Sequence, residues 1–303
     1  MSALPRNGEL LELAEKYQTT QALADHLGVP RTTLRDHIYR LGVQDAVNAV
    51  RRLPEVTQPD EIPVIRRDYS HQDKHYLYPL GDLHIGAKMH NAKMWAQWLT
   101  YLEDREDTSL LLTGDLFNTA IIGSKSDVYD ETMTVYDAKK LVREQLKRLA
   151  EEKRIDGAVP GNHEDRITRA TGECPVRDTC DWLKIPYIRD AALLVYTVGA
   201  QQYEIFLRHG TGSGQSLVAL TKTQQVIRAD VYIHGHIHNQ AARVGDVFET
   251  KAGKVGRRKF IAITSGSFLA YESYAAVRGY APGHMGSPRI FLDGRRHDFH
   301  VSL

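Results

Sequence analysis

Cysteine is nearly absent. The chain has two, Cys174 and Cys180, which rule out a disulfide framework and lack the two-residue gap of a zinc knuckle. Long apolar runs are missing too. The longest, "AALLVYTVGA" (191–200), is about half the length of a membrane-spanning helix. No apolar segment follows a basic start in "MSALPRNGELLEL", so no signal peptide is expected and the chain reads as soluble and cytoplasmic. Charge of one sign is not in excess. The formal net charge is +1 over 303 residues, so no global field draws the protein to membrane or nucleic acid, and any basic surface must be local. Repeats and low-complexity tracts are absent as well. A hydrophobic content of 42% suffices for an ordinary buried core.

Histidine, by contrast, is crowded. Three of the 14 stand at alternate positions in "YIHGHIHNQ", as His234, His236 and His238. The chain around them is organised in three parts. Residues 1–52 read as a small all-α helix-turn-helix domain. "GELLELAEKYQ" carries a helical apolar stripe. In "TTQALADHLGVPRTTLRDHIYRLGV", Thr19 or Thr20 caps one helix, Gly28 ends it, and Thr32 or Thr33 starts the next. Residues 53–75, rich in proline and charge, read as a linker. Residues 76–303 form the main domain. Its first half alternates strand and helix, which implies a largely parallel sheet. Its second half is mostly strands, which points to a second and more antiparallel sheet. The fold class is therefore α/β, a two-sheet sandwich flanked by helices and preceded by the small all-α unit.

In open α/β sheets the ligand lies beyond the carboxyl ends of the strands. Here those ends carry Asp82 and His84, then Asp115 and Asn118, then Asn162, His163 and Glu164, then His209, then His236 and His238. Seven of these, Asp82, His84, Asp115, Asn162, His209, His236 and His238, cannot share one edge unpaired without a cost of several kcal/mol each, in order-of-magnitude terms. Two divalent metal ions remove that cost, with four protein ligands apiece and one shared. A mixed imidazole and oxygen set suits Mn, Fe, Zn or Ni better than Mg or Ca, and Mn is the first candidate. With two carboxylates and a bridging hydroxide the site keeps a residual positive charge, which attracts an anionic ester. Two such ions activate water for in-line attack at phosphorus. His163, outside the ligand count, is placed to protonate the leaving oxygen.

"GDLHIG", "TGDLFN", "PGNHED", "RHG" and "GHIH", in this order, resemble the motifs of the calcineurin-like metallophosphoesterase family over roughly residues 76–240. The resemblance implies that Asp82, His84, Asp115 and His238 hold one ion. Asp115, Asn162, His209 and His236 hold the other. Asp115 then bridges, and His163 is the catalytic histidine. "GDLF" is similar to the SbcD-like nuclease branch. Asn118, followed by Thr119, departs from the Asp or Arg common at this point of the family's second motif, which weakens any role there that needs an anion.

Asn118 and Arg166 are candidates for holding substrate, Arg166 being equally readable as a surface arginine. "HGTGSGQS" (209–216) can present amides to phosphate or be a plain loop. The aromatic-rich stretch 265–286, with Phe268, Tyr271, Tyr274, Arg278 and Tyr280, can stack bases or fill a core. In the first domain Arg31, Thr32, Thr33, Arg35, His37 and Arg40 are candidates for contacting DNA, with a helical protein-interaction module as the rival reading. His234 is read as supporting the site from behind. The expected function is phosphodiester hydrolysis in nucleic acid, DNA first, with no membrane partner and with homodimers in view. Two alternatives stay open: a phosphomonoesterase on phosphoprotein or nucleotide, and a DNA-binding regulator whose hydrolase domain is only a support.

Overall fold

Apolar strands, some alternating and some buried on both faces, share the molecule with amphipathic helices. The computed structural model describes residues 4–17, 19–50, 62–122, 124, 128–210, 227–251, 253–270 and 284–303. Residues 53–61 of the expected linker, Arg51 and Arg52, the stretch 211–216, and Tyr271, Tyr274, Arg278 and Tyr280 lie outside the described residues. The chain divides into two compact units, Met1–Glu61 and Ile62–Leu303.

The first unit holds α1 (Asn7–Lys16), α2 (Thr20–Leu27), α3 (Arg31–Arg40) and α4 (Gln44–Val50). Thr19 caps α2 by accepting from the Ala22 amide at 3.1 Å, and Gly28 ends it with φ +63°, the left-handed cap that glycine adopts at little cost. α3 starts at Arg31 behind Pro30 rather than at Thr32 or Thr33. Leu10, Leu23, Leu34 and Ile38 form a core of its own within the unit.

The second unit contains β1 (Val64–Tyr69), β2 (Lys74–Leu80), α5 (Ala92–Glu103), β3 (Thr108–Leu112), α6 (Val135–Glu151), β4 (Ile155–Ala158), α7 (Asn162–Thr171), α8 (Pro175–Leu183), β5 (Ala191–Val198), β6 (Gln201–Arg208), β7 (Val231–His234), β8 (Ala241–Lys251), β9 (Lys254–Thr264), β10 (Arg289–Asp293) and β11 (Phe299–Ser302). One sheet runs β11-β10-β2-β3-β4 and the other β1-β5-β6-β7-β9-β8. Leu77, Leu111, Leu194, Ile205, Ile233 and Ile290 fill the space between them. A second core lies between the five-stranded sheet and helices, with Leu110, Trp95, Val142, Leu146 and Leu183.

Two expectations change. β1 and the start of β2 fall inside the stretch read as linker, where charge and proline hide the alternation of "VIRRDY". The second sheet, expected to be the more antiparallel one, is mixed, with antiparallel pairing at β5-β6 and β8-β9. β6, β7 and β9 run parallel, and the last two strands join the other sheet through β10 and β2. Parallel β6 and β7 are what bring two further histidine-bearing ends to the edge where β2, β3 and β4 finish.

A polar cluster is buried among these layers. Tyr69 and Tyr196 donate to Asp156 at 2.8 and 2.7 Å, and Arg67 pairs with it at 3.1 Å. His75 stacks on Tyr69 at 3.9 Å and bonds Ser109 at 2.8 Å. Burial pushes the His75 pKa down to about 3. The unfolded chain therefore binds a proton there that the folded one refuses, and stability falls as pH drops from about 6.5 toward 3. The slope from this one residue approaches about 1.4 kcal/mol per pH unit. Thermal melts at pH 7 and pH 5 check this: a His75→Asn variant, less stable at pH 7, should lose less than the parent on acidification.

Candidate metal centre

Each chemically distinctive side chain follows directly from a strand end. β2 leads to Asp82 and His84, β3 to Asp115 and Asn118, β4 to Asn162 and His163, β6 to His209, and β7 to His236 and His238. The backbone there is unusual. Asp82, His84, Asp115 and His236 have φ of 49°, 49°, 50° and 66°. Non-glycine residues enter this left-handed region only at a cost of order 1–3 kcal/mol, and such residues gather at functional sites. The turns let the side chains double back over the sheet edge. Glycine permits the closest approach: a Cβ on Gly161 would strike the Asp115 carboxylate and its amide.

The side chains converge in overlapping groups. Asp82, His84 and His238 place one donor atom each within 4.8 Å of one another, as do His84, Asp115 and His163, and Asp115, His209 and His236. His84 Nε2 faces His238 Nε2 at 3.1 Å. His238 Nε2 lies 3.4 Å from Asp82 Oδ1 and His209 Nε2 3.4 Å from Asp115 Oδ2. Asn162 Oδ1 joins the last group, 2.6 Å from His236 Nδ1 and 3.3 Å from His209 Nε2. All seven residues expected as ligands are thus in one cluster, most of them buried.

This donor set fits two cations. Asp82 Oδ1 is buried and accepts no hydrogen bond. Its other oxygen is held by the His236 amide at 3.0 Å, so the carboxylate is fixed with one oxygen aimed into the cluster. His209 Nδ1 donates to the Thr113 carbonyl at 2.7 Å, which turns the Nε2 lone pair toward Asp115, the way a metal-binding histidine is commonly oriented. Burial works against charge on His209, yet Asp115 outweighs it and takes the pKa up to about 10. Asp115 is likewise held well below the carboxylate range, His209 overcoming its burial. A positive charge is demanded next to Asp115, by proton or by cation.

A family model for calcineurin-like phosphoesterases matches residues 79–240, the span from the end of β2 to the last of these histidines. The chain belongs to the calcineurin-like phosphoesterase family. It is a metal-dependent phosphoesterase. Among solved structures it is similar to vacuolar protein sorting 29 from Cryptosporidium parvum, with 16% identity over 76% of this chain and 96% of that one, TM-score 0.37. It is similar also to a metallophosphoesterase from Sphaerobacter thermophilus, with 12% identity over 75% and 88%, TM-score 0.37. No curated protein matches the chain.

Around this phosphoesterase centre, His163 donates from Nδ1 to the Asn118 carbonyl at 2.7 Å, and its Nε2 accepts from Arg166 at 3.0 Å. Burial, with Arg166 beside it, lowers the His163 pKa despite the pull of Asp115. The Asn118 amide donates to Glu131 at 2.8 Å, so its side chain is occupied inside the protein. His234 sits behind the site, accepting from Arg208 at 3.0 Å, and burial takes its pKa down to about 3. Phe268 is buried against Trp95, core packing and not an exposed stacking ring. In the first unit Arg31, Thr32, Thr33, Arg35 and Arg40 are exposed, but half-buried His37 turns to the Pro5 carbonyl at 3.0 Å.

Sequence reading gave no role to Glu164 or Glu131. Glu164 is fully buried and accepts from the amides of Asp115, Phe117 and Gly161 at 3.1, 2.9 and 2.7 Å. It ties the β3 loop to the β4 loop. Burial and Asp115 raise its pKa to about 7, against the pull of those amides. Its reach back to the Gly161 amide is the glutamate half of a capping box, and glycine has no side chain to complete the motif, so the sequence signal is partial. Glu131 has no sequence signal.

The phosphoesterase should therefore gain thermal stability from a divalent cation, by about 2.7 kcal/mol for a site at a hundredfold excess over Kd. Asp115→Asn should abolish the gain. Glu164→Gln should weaken metal affinity about 10- to 100-fold. Melting curves at graded metal read all three.

Proposed function

We propose that the chain is a dinuclear phosphodiesterase that hydrolyses nucleic acid, DNA first, and that its N-terminal unit is a helix-turn-helix arm that positions the substrate. What carries the reading is the overlap of donor groups at Asp115 and His84: two cation positions side by side, on an edge with Arg166 close by. When bound, the cations supply Lewis acidity and a water of lowered pKa beside phosphorus. An SbcD-like place within the family and Mn²⁺ as the working metal belong to the same proposal.

The residues of the chain divide the remaining work. Asp82 and Asp115, each gripped by an amide at 3.0 and 2.8 Å, keep their carboxylates from following the substrate. Arg166 hands a guanidinium to a phosphate oxygen. As that anion arrives, Arg166 leaves His163 Nε2, and the added negative charge favours the protonated ring. His163 then holds its proton at Nε2, Nδ1 remaining on the Asn118 carbonyl, and delivers it to the leaving oxygen.

Support for nucleic acid comes from α3. Arg31, Thr32 and Thr33 stand in its first turn, and Arg35 and Arg40 follow on exposed positions, while Leu34 and Ile38 alone face the core. Arginine and threonine at the start of a helix that follows a tight glycine turn suit contacts to phosphates and base edges. His37 takes no part.

Three measurements test the proposal. Bis-aryl phosphate should turn over faster than mono-aryl phosphate; the reverse makes the enzyme a monoesterase. Mn²⁺-dependent cutting of oligonucleotides should fall about 10²- to 10⁴-fold in His163→Ala, and fall less for an aryl ester whose leaving group needs no proton. Replacing Arg31, Arg35 and Arg40 by Ala should weaken binding to DNA and lower its salt dependence; unchanged binding removes the arm from the proposal. Binding to DNA without any hydrolysis favours the regulator reading.

A further inference from the structure

The helix side of the five-stranded sheet carries a row of rings that runs from Tyr76, which also packs against the helix core, out to an exposed ring on the edge strand. Tyr76 of β2 lies opposite Phe291 of β10, and Phe291 lies opposite His300 of β11. Directly paired residues point to the same side of a sheet, with strands about 4.8 Å apart, so the three rings form one line across three strands. Their neighbours along each strand, His75, Leu77, Ile290, Leu292 and Phe299, point the other way into the core between the sheets. Tyr76 to Phe291 is 5.5 Å and Phe291 to His300 is 4.6 Å, the latter pair stacked. His300 is exposed and Phe291 half-buried.

Cations surround this line. Lys74, Arg105 and Arg289 lie 5.8, 5.5 and 5.3 Å from the centre of the Tyr76 ring. Arg105 is paired with Asp107. Among the described residues Lys74 and Arg289 form no ion pair. Asp293, next to Lys74 in register, gives its carboxylate to the backbone amides of Arg295 and Arg296. Three positive groups gathered round one ring repel each other, and the chain does not neutralise two of them. Sheet aromatics in a line with flanking cations offer faces to bases and charge to phosphates.

We propose that Tyr76, Phe291 and His300, with Lys74, Arg105 and Arg289, bind a single-stranded stretch of nucleic acid. The inference rests on the reading of the substrate as nucleic acid. Phe291 and His300 already stack on each other, so a base joins the row by continuing the stack beyond exposed His300, and a base inside a duplex has no free face with which to do so. The row crosses the strands, and the metal centre lies along them. β2 runs from Tyr76 to Asp82 over about 20 Å at strand rise, with Arg289 on the side of the row nearer the site. A strand held here reaches the hydrolytic edge a few nucleotides further on.

Fluorescein-labelled oligothymidylate and a duplex of equal length provide the probes, read by anisotropy on the full chain with EDTA present so that nothing is cut. The double variant Phe291→Leu with His300→Ala keeps an apolar side chain at 291 but loses both rings. It should bind oligothymidylate at least roughly tenfold more weakly. Its hydrolysis of bis(4-nitrophenyl) phosphate and its Tm should stay at parent values. Arg289→Ala should reduce the salt slope of binding by about one phosphate contact. If the double variant misfolds, His300→Ala alone, at an exposed position, carries the same comparison. A parent that binds the oligonucleotide and a variant that binds it equally well overturn the platform and leave the nuclease reading standing. Lower Tm with unchanged affinity makes the row structural and overturns it as well. A loss as large on the duplex overturns the single-strand assignment. A parent that neither binds nor cuts any oligonucleotide overturns both readings together.

Discussion

Lone pairs aimed at one another hold the key to this molecule. Five loops bring imidazole nitrogens and carboxylate oxygens within a few ångströms, His84 and His238 at 3.1 Å, a spacing that calls for a proton or a cation between them. Everything near the sheet edge serves that convergence. The five strand ends point to one side, the backbone folds back on itself there, and a buried glutamate fastens two of the loops together. An edge built in this way is poor packing and good coordination chemistry.

The strain and the support are parts of one arrangement. Left-handed conformations at Asp82, His84, Asp115 and His236 cost stability that the two hydrophobic layers around the five-stranded sheet have to supply. Glu164 keeps the turn after β3 in place by holding the amides on either side of it. Without those bonds the Asp115 carboxylate would follow the nearest cation or histidine and lose its fixed direction.

Much of the site was legible because each donor sits immediately after an apolar run, where strand and chemistry are read together. Asp82, Asp115, Asn162, His209 and His236 needed only the rule that ligands lie beyond strand ends. Less local features were hidden. The parallel course of β6, β7 and β9 depends on which strands become neighbours, and an apolar run does not tell its direction. β1 turns Arg66 outward and Arg67 inward onto buried Asp156, so charge interrupts both of its faces, and it follows prolines, so it reads as linker. His37 has the right residue type for an outer helix face, but the N-terminal segment folds over it. Glu131 meets Asn118 from 13 positions away, and no periodicity announces such a contact.

His84 and His238 touch although 154 positions separate them, and β6 and β7 must dock side by side before the last histidines arrive. Parallel pairing over such distances closes late in folding, since loop entropy is lost before any contact rewards it. The cation site is therefore a finished product and not a template. Ions bind an already assembled protein and add to its stability, so the supply of metal sets both how many molecules are active and how firmly each stays folded.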